Sequence, residues 1–278
     1  MTHHQMESRV ADPGSPEDYA VLQRAVKERS GIDLSLYKPD QMRRRLWVIV
    51  QQAGSPSFTD YVMRIERDES AMSSLLDRMT INVSEMFRNA KQWEILQTEI
   101  LQELCRQRHT VRVWSAGCAN GAEVYSIAIL LAKMAPIASH FILATDIDRV
   151  SLNQARQGLF SSDEIKGVAP PDLQRYFTPT GKNFLVNPWL VERITFQYHN
   201  LLSDPYLSGF NLIICRNVLI YFVETAKRFL YQRFSDALSA GGVLFLGGTE
   251  IIFRCEDVGL HQMYPGFYRR EGHSLREI

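Results

Sequence analysis

The residues with the clearest chemistry lie between Val111 and Asp148, where one apolar run leads into a glycine turn and a second ends in an acid. Gly117 and Gly121 allow a backbone to approach a ligand closely. Asp146 follows Gly121 by 25 residues and can accept both hydroxyls of a ribose. The turn reads G-x-x-x-G and lacks the G-x-G-x-x-G spacing that cradles a diphosphate. The pattern therefore predicts an adenosine ligand without a diphosphate, such as S-adenosylmethionine.

Strands and helices that could position these residues alternate after residue 110, which predicts a mostly parallel, doubly wound α/β sheet. The strand candidates are short apolar runs: Val111–Ser115, Phe141–Thr145, Ile194–His199, Phe210–Cys215, Gly242–Gly247 and a final pair near Met263–Arg269. The helix candidates between them are Ala122–Met134, Val150–Gln157 and Glu224–Leu238. Thr178–Ile194 interrupts the alternation and predicts short antiparallel strands inserted before the next main strand.

A small helical bundle is predicted before the sheet. Ser15-Pro16 followed by two acids is typical of a helix start, and Gly31 of a helix end. The predicted helices are Pro16–Ser30, Pro39–Ala53, Phe58–Arg67, Ser70–Met79 and a linker helix, Trp93–Arg106. The sequence thus predicts a disordered tail at residues 1–14, a helical domain at 15–80, a connector at 81–108 and the sheet domain at 109–278.

Composition excludes several classes of protein. The 31 basic and 31 acidic residues balance, which argues against a general nucleic-acid binder. No apolar run approaches the ~20 residues of a membrane span, and the first residues lack the apolar core of a signal peptide. The four cysteines are widely spaced, so we expect reduced thiols in a cytoplasmic protein and no metal site.

Five segments occur in one order along the chain: INVSEMFR, WSAGCANGAEVYSIA, ATDID, HNLL, and ICRNVLIYF followed by GGVLFLGGTE. Together they resemble the chemotaxis receptor methyltransferases, the CheR family, and the similarity runs from about Tyr19 to Arg270. The resemblance implies a seven-stranded S-adenosylmethionine-dependent methyltransferase sheet with a β insertion at about residues 176–196, behind an all-α receptor-recognition domain. It implies methylation of glutamate carboxylates on chemoreceptor helices. A catalytically silent cofactor-binding scaffold or sensor is the alternative.

The same resemblance implies which residues contact the methionine end of the cofactor. Asn82, Ser84 and Arg88 would hold it, and the planar guanidinium of Arg88 suits a carboxylate. Serine stands at position 84 where the family usually has threonine, and Met86 stands where phenylalanine is usual. The alternative for Arg88 is a surface ion pair.

The remaining implied cofactor contacts lie in the α/β part. Gly117 lies in the turn, Glu123 would bind the cofactor, and Asp146 would take the ribose hydroxyls. Asn200 and Leu201 would flank the adenine, although such a pair is more often an ordinary strand exit. Glu123 could instead compensate a helix dipole, and Asp146 could instead cap the following helix.

Arg216, Asn217 and Tyr221 are the residues that the resemblance places near the reacting centre, and Arg216 and Asn217 are also implied cofactor contacts. They follow Phe210–Cys215, at the carboxyl end of a predicted strand, where ligands bind such sheets. Arg216 could attract an incoming carboxylate, and Asn217 could share a helical face with Tyr221 if the segment turns helical. A core aromatic is the alternative for Tyr221. A glutamate acceptor is already ionised at pH 7, so no general base is expected and no histidine receives a catalytic role.

Positive charge in the second predicted helix suggests how the receptor would be recognised. Lys38, Arg43, Arg44 and Arg45 surround the helix start, and a solvated face is the ordinary explanation for such a run. The resemblance implies that this helix meets the acidic cytoplasmic coiled coil of the receptor. We therefore expect a monomer that is recruited to receptor arrays, with no nucleic-acid partner and no membrane insertion.

Overall fold

The computed structural model describes residues 14–80, 84–136 and 138–272, and the chain divides into two compact units between residues 81 and 82. The ligand contact predicted at Asn82 and residues 1–13 of the predicted tail lie outside the described residues. Within those ranges, no helix has both the length and the apolar composition needed to cross a bilayer.

Within residues 14–80, the first unit contains four α-helices whose ends follow the capping signals in the sequence. They are α1 (Pro16–Ser30), α2 (Pro39–Gln52), α3 (Phe58–Arg67) and α4 (Glu69–Met79). The Ser15 hydroxyl accepts the Asp18 N–H at 3.2 Å, and Gly31 ends α1 with a φ of 73°. The Asp18 carboxylate also accepts the N–H groups of Phe58 and Thr59, at 2.9 Å each, which fixes α1 against the start of α3.

The second unit is built on a seven-stranded sheet. Its strands are β1 (Arg112–Ala116), β2 (Phe141–Asp146), β6 (Ile194–Tyr198), β7 (Phe210–Cys215), β8 (Leu238–Leu246), β9 (Leu260–Tyr264) and β10 (Phe267–Arg270). Their order is β6-β2-β1-β7-β8-β10-β9, and only the pairs that involve β10 are antiparallel. From β1 the chain builds outward to one side and then crosses to β7, so the order reverses between β1 and β7. The predicted doubly wound, mostly parallel sheet is confirmed.

Helices cover both faces of this sheet, which explains the continuous apolar runs in its central strands. Every residue of β7 is buried. The helices are α5 (Ala90–Ile95), which continues through a π-helical stretch, Leu96–Leu101, into α6 (Gln102–Gln107), then α7 (Ala122–Met134), α8 (Arg149–Gln157) and α11 (Glu224–Ala237). In α7, ten of the thirteen residues are buried, so this helix packs within the core directly after the glycine turn.

The insertion is larger than the sequence predicts. It forms a second antiparallel sheet of order β3-β5-β4, with β3 (Leu159–Ser161), β4 (Phe177–Thr180) and β5 (Asn183–Val186). Two short helices, α9 (Pro170–Tyr176) and α10 (Pro188–Val191), complete it. β3 was missed because three residues are too few for a period-two pattern to show.

Candidate active site

The glycine turn after β1 is fixed by the end of β2. Gly117, with a φ of 84°, and Cys118 both donate their N–H groups to the Thr145 carbonyl, at 2.8 and 2.9 Å. A Cβ at Gly117 would lie 2.5 Å from Cγ2 of Val218, in the loop that follows β7. Only glycine fits this close approach, which lies at the reversal of the strand order, where such sheets bind ligands.

Asp146 ends β2 with both carboxylate oxygens hydrogen bonded to backbone. Oδ2 accepts the Ala119 N–H from the glycine turn at 2.8 Å, and Oδ1 accepts the Asp148 N–H at 2.9 Å. Burial raises the pKa of Asp146, and these N–H groups oppose that shift. The helix-cap alternative for Asp146 is excluded, because Asp148 caps α8 by accepting the Val150 and Ser151 N–H groups at 2.8 and 3.0 Å.

Glu123, in the first turn of α7, is a second, partly buried acid beside the turn. Its Oε1 accepts the Ser115 hydroxyl at 2.8 Å, and its Oε2 lies 3.9 Å from Nη1 of Arg216. Burial raises the pKa of Glu123 to about 7, and the charge of Arg216 opposes this. Half-protonation near neutral pH makes Glu123 a carboxylate whose charge a cationic ligand would stabilise.

Attraction of an incoming carboxylate would require a solvent-exposed guanidinium, but the Arg216 side chain is buried. Its side chain is 3% exposed, and Nη2 donates to the Arg88 carbonyl at 2.8 Å, to Asn89 Oδ1 at 3.0 Å and to Gln92 Oε1 at 3.1 Å. Its guanidinium also lies 4.9 Å from the ring centroid of Phe245. All three bonds use Nη2, whereas Nε is buried without a hydrogen-bond partner among the described residues. Arg216 thus ties the loop after β7 to residues 88–92.

Residues 84–89 are held by several further backbone contacts. The Phe87 N–H donates to the Ser126 hydroxyl at 3.0 Å, and Trp93 Nε1 donates to the Arg88 carbonyl at the same distance. Phe87 and Asn89 have φ values of 55° and 64°, so the chain turns sharply on both sides of Arg88. This turning leaves the Arg88 side chain exposed, and Ser84 is partly buried.

The segment after β7 does not turn into the helix that would give Asn217 and Tyr221 a common face. Asn217 has a φ of 60°, in the left-handed region, and only Leu219–Tyr221 form a single 3₁₀ turn. The helical premise for this pair is therefore wrong. Asn217 and Tyr221 are both partly buried and lie in the loop at the carboxyl end of β7.

Glu250 organises this loop, and the sequence analysis gave it no role. Its Oε2 accepts the Asn217 and Gly247 N–H groups, each at 2.8 Å, and its Oε1 accepts the Leu219 N–H at 2.8 Å. Glu250 is 5% exposed. The available signal was its place in the GGTE segment directly after β8, where an acid follows the carboxyl end of a central strand.

The strand exit after β6 is closed by local hydrogen bonds. Asn200 Oδ1 accepts the Leu202 N–H at 3.0 Å, and the Asn200 N–H donates to Asp204 Oδ2 at 2.8 Å. The Leu201 carbonyl accepts the Tyr206 hydroxyl at 2.8 Å. The oxygen of the Asn200 amide is thus engaged, and its NH₂ group is the part that suits an acceptor nitrogen of a base.

Glu164 joins the insertion to the same edge of the sheet. Its Oε1 accepts the Asn120 side-chain amide at 2.5 Å, its Oε2 accepts the Ser161 hydroxyl at 2.8 Å, and its carbonyl accepts the Met86 N–H at 2.8 Å. One residue therefore touches the glycine turn, the inserted sheet and the segment that precedes Arg88.

In the helical unit, the four cationic side chains at the start of α2 differ in their environments. Arg44 is exposed, and Lys38 and Arg43 are partly exposed. The Arg45 guanidinium donates to the carbonyls of Arg78, at 3.1 Å through Nε, and of Thr80. Arg45 thus closes the end of α4, so its assignment to receptor contact is revised.

Comparison with known proteins agrees with this architecture. Residues 82–263 match the family described as "CheR methyltransferase, SAM binding domain", and residues 17–80 match "CheR methyltransferase, all-alpha domain". A chemotaxis protein methyltransferase of Listeria innocua is 36% identical over 92% of this chain and 98% of its own. That of Salmonella typhimurium is 35% identical over 81% and 80%. A solved structure described as a "putative sarcosine dimethylglycine methyltransferase" from Galdieria sulphuraria matches 56% of this chain and 46% of its own, at 16% identity and a TM-score of 0.37.

The sheet order, the glycine turn and the matched S-adenosylmethionine-binding domain define a methyltransferase that uses S-adenosylmethionine. Its two matched domains together span most of the sequence. The chain belongs to the CheR methyltransferase family, and the resemblance in the sequence is confirmed.

Proposed function

We propose that this chain transfers a methyl group from S-adenosylmethionine to glutamate carboxylates on the cytoplasmic helices of chemoreceptors. One structural observation supports this proposal in addition to the family match. The ends of β1, β2 and β7 meet at one edge of the sheet, and Asp146, Glu123 and the Asn217 loop all lie there. The names of the relatives, chemotaxis protein methyltransferases, support the receptor substrate.

The donor set at this edge fits S-adenosylmethionine. The ligand carries an ammonium and a sulfonium, and a nearby cation would stabilise the partly buried Glu123 carboxylate, whose pKa is raised. Asp146 would accept the ribose hydroxyls, Gly117 would admit the ligand close to the backbone, and Ser84 and Arg88 would hold the methionine carboxylate together with Asn82. Asn200 and Leu201 would flank the adenine.

The bound cofactor supplies a methyl group that the acceptor oxygen takes, with a C–O bond forming as the C–S bond breaks and its electron pair stays on sulfur. The acceptor is an anion at pH 7, so no residue of the chain must remove a proton. The residues of this chain instead align the acceptor and exclude water from it. Asn217 and Tyr221 would orient the carboxylate, and Arg216 would hold their loop against residues 88–92.

The receptor surface that we propose lies on the helical unit. Lys38, Arg43 and Arg44 present positive charge near the start of α2 in a protein of zero formal net charge. Local charge of this kind steers association with an acidic partner. The methylated helices of the receptor would be that partner, which places the chain in the cytoplasm beside receptor arrays.

The decisive experiment is incubation of the chain with radiolabelled S-adenosylmethionine and receptor-containing membranes, followed by an assay for base-labile methyl ester. We expect label in the receptor with this chain and much less with the Asp146→Ala variant at the same cofactor concentration. Binding of the cofactor without any labelled ester would identify the chain as a scaffold or sensor instead.

A further inference from the structure

Glu250 is a buried acid in the wall of the candidate site, and the proposed reaction does not use it. Its two oxygens accept four backbone N–H groups: Oε1 those of Leu219 at 2.8 Å and Ile220 at 3.3 Å, and Oε2 those of Asn217 and Gly247 at 2.8 Å each. Three of these donors belong to the loop after β7, about 30 residues earlier in the chain. Charge-assisted hydrogen bonds of this kind are among the strongest that backbone groups make.

The loop needs an acceptor of this kind from outside itself. Asn217 has a φ of 60°, in the left-handed region that asparagine adopts more readily than most non-glycine residues, and its N–H donates to Glu250. The 3₁₀ turn at Leu219–Tyr221 is three residues long, and the first N–H groups of any helical turn have no partner within it. Glu250 supplies that partner for Leu219 and Ile220.

Gly247 and Glu250 form a matched pair. A Cβ at Gly247 would lie 2.5 Å from Glu250 Oε2 and 3.2 Å from the Asn217 nitrogen. A side chain at position 247 would therefore displace the carboxylate from the loop. The GGTE segment thus contains both the acceptor, Glu250, and the glycine, Gly247, that leaves room for its carboxylate.

We propose that Glu250 is a positioning residue for methyl transfer: it fixes the backbone of residues 217–220, and through that backbone the directions of Asn217 and Tyr221. This inference rests on the proposed function for the roles of Asn217 and Tyr221. The charge of Glu250 also contributes to the raised pKa of Glu123 and is felt by Arg216, so the same acid couples to the electrostatics of the site.

The test compares Glu250→Gln, Gly247→Ala and the matched control Glu256→Gln, which changes an exposed acid six residues further on. Glutamine keeps the shape but turns one acceptor into a donor, and Gly247→Ala keeps the acid but displaces it. Amide hydrogen exchange of residues 217–220, calorimetry with S-adenosylhomocysteine, and the kcat and KM for receptor methylation are measured for each protein.

We expect both site variants to exchange the amides of residues 217–220 at least tenfold faster, with β1 and β2 unchanged. The kcat should fall at least thirtyfold, while S-adenosylhomocysteine affinity and the receptor KM change less than fivefold. The lower limb of the pH–rate profile should move to lower pH in Glu250→Gln, since Glu123 loses a neighbouring negative charge, and should stay in place in Gly247→Ala. Glu256→Gln should match the wild type in every measurement.

Unchanged exchange or unchanged kcat would overturn the proposal, and so would parallel loss of kcat and cofactor affinity with exchange raised throughout the sheet. If neither variant folds, Glu250 is a stability residue and the proposal fails. The exchange and calorimetry need no receptor, so they decide whether Glu250 fixes the loop even if the wild type forms no methyl ester. That last result would count against the proposed function alone.

Discussion

Arg216 and Arg88 lie 128 positions apart, and Nη2 of Arg216 donates to the backbone carbonyl of Arg88 at 2.8 Å. The bond joins two loops of the second unit that are far apart in its sequence. Arg216 is held by Asn89 and Gln92 as well, so its direction is fixed before any ligand arrives. Because the two loops are already held in position, little binding free energy is lost to their rearrangement when a ligand binds.

Cofactor affinity should depend on Asp146 and Arg88. Loss of a hydrogen bond to a charged group costs ~1.5–3 kcal/mol, so Asp146→Ala or Arg88→Ala should weaken S-adenosylhomocysteine binding roughly ten- to a hundredfold in calorimetry. Asp146→Ala should also lower the melting temperature, because the Ala119 N–H loses its acceptor, whereas the exposed Arg88 should not affect it. The control is Lys91→Ala, an exposed cation nearby. Unaltered affinity in both variants would show that the cofactor binds elsewhere.

Glu123 should make cofactor binding depend on pH. Its pKa of about 7 means that the protonated form dominates below neutral pH, and a cationic ligand favours the ionised form. Affinity for S-adenosylmethionine should therefore fall as pH drops below 7, with a limiting slope of about tenfold per pH unit. Calorimetry between pH 5.5 and 8.5 would measure this slope, roughly three pH units being enough to define it. Glu123→Gln should flatten it, and an unchanged slope in that variant would assign the proton to another group.

Glu123 should have the opposite pH effect on the folding stability of the ligand-free chain, which should fall as pH rises. A folded-state pKa raised from 4.5 to about 7 contributes stability that is present below pH 4.5 and is lost as pH rises through 7. Urea unfolding should therefore give a free energy that decreases over this window in the wild type. The decrease should be smaller in Glu123→Gln.

Tyr221 should affect turnover more than cofactor binding. Its phenol is proposed to orient the acceptor, an interaction that contributes when the reactants are aligned. Tyr221→Phe should lower kcat roughly tenfold or more and leave S-adenosylhomocysteine affinity nearly intact. Tyr264→Phe, in the edge strand β9, is a matched control. Turnover equal to that of the wild type would remove Tyr221 from the site.

Charge reversal in the helical unit should separate receptor contact from folding. Lys38→Glu with Arg44→Glu should slow receptor methylation and leave cofactor affinity unchanged, and rising salt should slow the wild type, because the Debye length falls from ~10 Å at 0.1 M to ~3 Å at 1 M. The control with the same charge change is Arg24→Glu with Arg29→Glu on α1, where both side chains are exposed.

Arg45→Glu should behave differently from these pairs and lower the melting temperature, since Arg45 binds the carbonyls at the end of α4. If the rate of receptor methylation changes neither with salt nor with the Lys38 and Arg44 reversal, these cationic side chains only face solvent and do not contact the receptor. The receptor contact would then be sought in the inserted sheet.

The sequence predicted what depends on local pattern. Apolar runs located the central strands, and the acid at the end of β2 was found because a strand end and a glycine turn are both visible in one segment. The contacts of Glu250, Arg216 and Arg45 could not be predicted, because the partners of these residues lie about 30 to 130 positions away. Composition does not reveal which backbone groups a folded loop leaves unpaired.

The backbone conformation of the loop after β7 could not be predicted from the sequence either. The Asn217–Tyr221 spacing of four suited a helix, yet the left-handed backbone at Asn217 breaks it. Glu250, which lies outside the loop, accepts the Asn217 N–H and so helps to hold that conformation. A four-residue spacing therefore predicts a shared face only where the helix has its own hydrogen bonds.

The contacts of Glu164 limit where the inserted sheet can be joined when it is exchanged between members of the family. Because its carboxylate binds Asn120 and its carbonyl binds Met86, a graft cut at Gly158 would exchange part of the catalytic framework together with the insertion. A chimera that keeps the host residues 159–176 and replaces only 177–193 would leave those bonds in place. The inserted hairpin can then diverge in evolution or in the laboratory, while the strand before it remains under the same constraint as the glycine turn.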